Sequence, residues 1–209
     1  MTEIIIERHG QSVGNLKAVF LGQTDLSLTD EGLLQAAITA EYLANEKIDK
    51  IYSSDLKRAY ETALSHRKYH DIEIETREAL REFDVGDWEA ADIPTLIKNS
   101  YTEFKLNRFR YDFEYPNGER TSDGAERFYA EVLKIAKENE GKRILITAHA
   151  GVIRAFWYKL IGANSQYMSD VLPFMENAAI STLVYDGEKL VPIEYNKHDF
   201  LPETDVHPR

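Results

Sequence analysis

Two short runs, TEIIIERHG at 2–10 and RILITAHAG at 143–151, limit what this chain can fold into more than any other feature. Each is an apolar stretch that reads as a strand buried on both faces. Each carries a histidine at its C-terminal end, has a glycine within two residues, and leads into a helical segment. A strand without a polar face needs cover on both sides, which antiparallel hairpins rarely supply and crossover helices do. The chain between the runs supplies such helices. Residues 28–47 have Thr29 as a candidate N-cap, acids in the first turn and apolar residues at helical spacing. A short strand follows at 49–54, an amphipathic helix at 55–69 and a half-buried strand at 71–80. Residues 92–106 read as helical, 121–143 as a capped helix ending near Gly141, and 152–162 as the helix leaving the second run. Residues 178–196 read as a hairpin with Asp-Gly at its turn. The expected fold is α/β, a three-layer sandwich around a mostly parallel mixed sheet whose edge is closed by the hairpin. One domain over 1–209 is expected, with a helical lid-like insertion around 92–120 and a polar tail from about 196.

In open α/β sheets, ligands bind beyond the carboxyl ends of the strands. If the two runs are parallel and close, His9 and His149 face one crevice, and the helix N-terminus after each favours an anion there. The charge balance sharpens this. With a formal net charge of −11, the protein as a whole repels nucleic acid and anionic membrane. An anionic ligand therefore needs a local cationic pocket. Arg8 and Arg58 can supply planar forks for phosphate oxygens. Arg58 sits in the first turns of a helix, an unfavourable place for a cation unless an anion is near. There are no cysteines, hence no disulfides, thiolate nucleophile or cysteine metal site. With no signal peptide and no membrane-length apolar stretch, a cytoplasmic location is expected.

RHGQSVGN at 8–15, SSDLKRAYETA at 53–63, LREFDVGDWEA at 80–90, PNGERTSDGAERF at 116–128 and ITAHAGVIR at 146–154 occur in that order. Together they resemble the histidine phosphatase superfamily, in the branch of the cofactor-dependent phosphoglycerate mutases and related phosphatases. The resemblance implies that His9 is a transiently phosphorylated nucleophile and Glu82 the general acid and base. It implies that Arg8, Asn15, Arg58 and His149 form the phosphate pocket, with the Ala150 backbone N–H as a further donor. It also places Gln23 beside the substrate. Gln11, Ala150 and Arg120 depart from the residues common in relatives, and none of these departures removes a catalytic group.

Phosphate monoester hydrolysis is among the slowest uncatalysed reactions, so electrostatic stabilisation must be large. Two arginines and a protonated second histidine around the equatorial oxygens are expected to provide it. The attacking imidazole must be neutral, its other nitrogen held by a hydrogen bond. A carboxyl beside a phosphate dianion has a raised pKa and can protonate the leaving group. Asp84 is the alternative acid. No metal and no cofactor are expected, and the partner is a small phosphomonoester. Oligomeric state is left open, a homodimer being one option. The mutases this chain resembles carry a longer insertion with an adjacent arginine pair between the acid and the second histidine. The shorter segment between Glu82 and His149 here, with Arg108 and Arg110 split by Phe109, implies by that comparison a phosphatase more than a mutase. A non-catalytic phospho-ligand module is the third reading.

Other features read as structural. His66 and His70 are expected on a solvated helix end, not as a zinc pair. Trp88, Tyr101, Phe104 and Phe109 are read first as core. Lys98, Lys105, Arg108 and Arg110 are expected to be mostly solvated, and Arg120 to face solvent. His198 and His207 are assigned no role.

Overall fold

The computed structural model describes residues 1–202. In chain order the elements are β1 (Thr2–Arg8), α1 (Val13–Leu16), α2 (Asp30–Tyr42), β2 (Lys50–Ser53), α3 (Lys57–His66), β3 (Ile74–Thr76), α4 (Ile93–Asn99), α5 (Thr121–Glu138), β4 (Arg143–Ala148), α6 (Ala150–Leu160), β5 (Ile180–Tyr185) and β6 (Leu190–Lys197). The sheet order is β3-β2-β4-β1-β5-β6. The first four strands run parallel, β5 is antiparallel to β1, and β6 closes the edge as the second arm of the hairpin. This is the expected α/β three-layer sandwich on a mostly parallel mixed sheet.

The layers follow from the two-residue period of the strands. Ile4, Ile6, Ile144 and Ile146 point to one face and pack with Phe128 and Val132 of α5 and Val152 and Phe156 of α6. Ile5, Ile51, Leu145 and Ile180 point to the other and pack with Leu43 and Ala63, beside α2 and α3. β1 and β4 are neighbours in direct register, Arg8 opposite Ala148, so the two strand-end histidines emerge side by side. No helix among the described residues is long and apolar enough to cross a membrane.

Thr29 caps α2 as expected, its side chain accepting from the Gly32 N–H at 3.0 Å. Two local expectations are corrected. The half-buried strand at 71–80 shrinks to the three residues of β3 on the sheet edge, because Leu80, in a 3-10 turn at Glu78–Leu80, leaves the edge for the core. The helix α5 starts without a side-chain cap: Arg120 holds the N-cap position, and Thr121 is turned inward and buried. At the C-terminal end, β6 runs to Lys197 and Phe200 stacks on Tyr42 with ring centroids 4.1 Å apart. His207 lies outside the described residues.

The larger correction concerns His66 and His70, which are not on a solvated helix end. His66 is fully buried, its Nε2 2.6 Å from Oε2 of an equally buried Glu7 on β1, and His70 is also buried. The helix α3 aims Arg58, Thr62 and His66, spaced four apart, at the end of β1. Burial raises the Glu7 carboxyl's pKa, and the histidine partner opposes that rise. Removing one member of such a pair strands the other in the core, at a cost of about 3–5 kcal/mol. His66→Ala is expected to lose stability on that scale in urea unfolding, whereas Glu7→Leu with His66→Leu stays within about 1.5 kcal/mol of the parent. Equal losses for the single and double variants would contradict a paired role.

Candidate active site

The β1–α1 turn fixes one imidazole by its own backbone. The His9 N–H bonds the Ala148 carbonyl at 3.0 Å, tying the turn to β4. His9 Nδ1 lies 2.7 Å from the Gly10 carbonyl oxygen. A carbonyl only accepts, so Nδ1 carries the proton and Nε2 the lone pair. The turn is held from two further sides. Thr62 Oγ1 accepts from the Gly10 N–H at 3.1 Å, and the His9 carbonyl accepts from Asn177 Nδ2 at 3.1 Å and the Ala178 N–H at 3.3 Å. Burial first, then the charges of Arg58 and Arg8, hold the His9 pKa well below the ordinary histidine value. His9 is therefore a neutral base at Nε2.

Around it stand the two predicted arginines, both buried. Arg8 donates through Nη1 to the Met175 carbonyl and lies over the Phe174 ring, while its Nε is buried without a partner among the described residues. Burial pushes its pKa down to about 10, which leaves it charged at neutral pH. Arg58 donates from Nη1 to the Thr24 carbonyl at 2.8 Å, from Nη2 to the Gly22 carbonyl at 2.7 Å, and from Nε to His149 Nδ1 at 3.2 Å. Each of its terminal nitrogens keeps one further N–H.

The protonated second histidine expected from the sequence is corrected. His149 Nδ1 accepts from Arg58, so the proton of the neutral ring sits on Nε2, 2.8 Å from Ser54 Oγ. Burial, then Arg58 and His9, hold its pKa well below the usual value. The two rings have centroids 5.3 Å apart. Positive charge in this cluster is carried by guanidinium groups.

Glu82 joins the cluster through the start of α6. Its Oε1 accepts from the Val152 N–H at 2.7 Å and its Oε2 from the Gly151 N–H at 2.9 Å, leaving the Ala150 N–H to another acceptor. A Cβ at residue 151 would meet both carboxylate oxygens within 3.0 Å, so glycine is what lets Glu82 sit there. Burial raises the Glu82 pKa, opposed by the backbone N–H groups and Arg58. Asp84, the alternative acid, is exposed and turned back to the Gly86 N–H, away from the cluster.

Asn15 and Gln23 lie near but partly committed. Asn15 Oδ1 accepts from the N–H and the Oγ of Ser12, both at 3.0 Å, in a capping box at the start of α1; its remaining polar end is the Nδ2 donor. Gln23 Nε2 donates to the Glu82 carbonyl at 3.3 Å, so the side chain braces the Glu82 backbone.

Among the decoys, Trp88 and Phe104 are core as expected, Tyr101 is exposed, and Arg120 pairs with Glu114 in solvent. Arg110 pairs with Asp112, but Arg108 is not solvated: it lies over the Phe104 and Phe109 rings, and burial pushes its pKa down to about 10. Sequence reasoning missed Gly151, Ser54 and Thr62, and the contacts of Met175, Asn177 and Ala178 with Arg8 and His9. Of these, only the glycine after AHA carried a local signal.

A family model described as the histidine phosphatase superfamily (branch 1) matches residues 4–198. The chain is 34% identical over 172 residues to a metal-independent phosphoserine phosphatase of Arabidopsis thaliana, covering 79% of this chain and 71% of the relative. It is 31% identical over 172 residues to a 2,3-bisphosphoglycerate-dependent phosphoglycerate mutase of Bartonella henselae, covering 78% and 83%. Among solved structures, a mycobacterial glucosyl-3-phosphoglycerate phosphatase in complex with VO3 superposes with a TM-score of 0.86 at 25% identity, covering 94% of this chain and 99% of the other.

Proposed function

This chain belongs to the histidine phosphatase superfamily, and we propose that it is a metal-independent phosphatase that hydrolyses small phosphate monoesters through a phosphohistidine on His9. The observation that carries this reading is the Nδ1–H to Gly10 carbonyl bond, which leaves Nε2 of a neutral, buried imidazole as a nucleophile between two guanidinium groups.

In the proposed reaction, the phosphoryl oxygens take the unspent N–H groups of Arg8 and Arg58, Asn15 Nδ2 and the Ala150 N–H. His9 Nε2 attacks phosphorus in line with the leaving oxygen. Glu82, protonated, gives its proton to that oxygen, and the alcohol departs. The resulting carboxylate then takes a proton from the water that attacks phosphohistidine, which returns His9 and releases phosphate. The shared names of relatives support a small phosphorylated carboxylic acid such as phosphoserine or 3-phosphoglycerate as substrate.

Turnover needs His9 unprotonated and Glu82 protonated. The first pKa is lowered and the second raised, so the two limits move apart and a working window opens between them. As pH falls, activity is lost only below the ordinary histidine value of 6.5; as pH rises, it is lost only above the ordinary carboxyl value of 4.5. The test is a panel of phosphomonoesters assayed with chelator across pH, alongside 2-/3-phosphoglycerate interconversion with the bisphosphate primer. Phosphate release with a bell-shaped pH profile is expected. Fast interconversion with negligible phosphate release would make the protein a mutase, and no turnover of either kind would leave a binding module.

A further inference from the structure

One carboxylate that the mechanism does not use collects four donors from a single loop. Gln23 N–H reaches Glu89 Oε1 at 2.6 Å, Thr24 N–H reaches Oε2 at 3.0 Å and Gly22 N–H reaches Oε2 at 3.4 Å. The Thr24 hydroxyl also donates to Oε2. Consecutive N–H groups converging on one anion form a backbone nest, and a nest fixes where its own carbonyls point. Here two of those carbonyls, Gly22 O and Thr24 O, take the two terminal nitrogens of Arg58. The fit is tight: a Cβ at residue 22 would lie 2.2 Å from Glu89 Oε1. The chain of contacts runs from Glu89 through three backbone N–H groups, out through two carbonyls, and into the guanidinium.

We infer that Glu89 is a positioning residue for the phosphate clamp: by holding the 22–24 loop as a nest, it aims Arg58 at the phosphoryl group without touching substrate. This goes beyond the proposed reaction but rests on its assignment of Arg58 as a phosphate ligand. Without the carboxylate, the loop's N–H groups lose their common acceptor and turn towards water. The Gly22 and Thr24 carbonyls turn with them, and the Arg58 fork loses its two oxygen anchors. Asp25 Oδ1 accepts from the Lys57 N–H at 2.7 Å, so the far end of the loop stays tied to α3 and the change is confined to the Arg58 anchors.

The test is a double-mutant cycle on the full chain, using Glu89→Gln, Arg58→Ala and the pair. It reads kcat/KM on p-nitrophenyl phosphate, the inhibition constant of orthophosphate, and the melting temperature. Arg58→Ala is expected to lower kcat/KM about 10²–10³-fold. Glu89→Gln is expected to lower it about 10–100-fold and to weaken orthophosphate inhibition in parallel. The pair should be no worse than Arg58→Ala, because residues acting through one another are not additive. Losses that multiply in the pair would overturn the inference, as would unchanged orthophosphate inhibition in Glu89→Gln. If Glu89→Gln does not fold, Thr24→Val removes only the hydroxyl donor. A several-fold weaker orthophosphate inhibition that vanishes in the Arg58→Ala background is then expected, and no change overturns the inference. If Arg58→Ala itself has no effect, the clamp assignment fails, a result separable from the behaviour of Glu89.

Discussion

Replacing His9 with alanine is expected to remove turnover by roughly four orders of magnitude or more, since no other group in the site can carry the phosphoryl intermediate. The nearest imidazole, His149, cannot take over: its Nδ1 faces Arg58 and its Nε2 faces Ser54. His9 is buried, so a change of melting temperature has to be separated from lost chemistry. His9→Asn keeps more of the volume and a side-chain polar group beside the Gly10 carbonyl. Both variants should still bind orthophosphate if they fold, because Arg8 and Arg58 remain. Residual activity within tenfold of the parent in a folded His9→Ala protein would contradict the nucleophile assignment.

Glu82→Gln should be the second largest loss, and its size should depend on the leaving group. General acid catalysis contributes typically about 10²–10⁴-fold. An alkyl alkoxide is a poor leaving group and needs the full contribution. The p-nitrophenolate ion leaves without a proton and needs little of it. Glu82→Gln is therefore expected to lose about 10²–10⁴-fold on alkyl phosphates and far less on p-nitrophenyl phosphate, and the descending limb of the pH profile should vanish with the carboxyl. The glutamine amide can still accept one of the N–H bonds from Gly151 or Val152, so the start of α6 is kept. An equal loss on both substrates would indicate that Glu82 shapes the site without transferring a proton.

The parts of this site that were legible in the sequence are those built from local pattern. Two apolar runs ending in histidine pointed to buried strands of a mostly parallel sheet, and β1 and β4 do lie parallel, paired in register. The anion-friendly helix N-terminus was legible for the same reason. What stayed hidden depends on contacts between distant residues. Nothing near HRKYH says that Glu7, on another element, faces His66 across the core. Nothing near GDWEA says that Glu89 fills a nest on a loop more than sixty residues earlier. The protonation of His149 could not be read either, since it turns on whether Arg58 donates to the ring, a matter of side-chain direction. Residue type suggested an imidazolium; geometry made it a neutral acceptor.

The central claim is a covalent phosphoryl group on one imidazole. The most direct measurement is rapid quench of the parent protein with a labelled phosphomonoester, followed by peptide mapping under alkaline conditions. The mechanism predicts an acid-labile, base-stable label that appears before steady-state phosphate release, maps to His9 and is absent in His9→Ala. Full turnover with no label on any histidine, or a label on His149 instead, would contradict it.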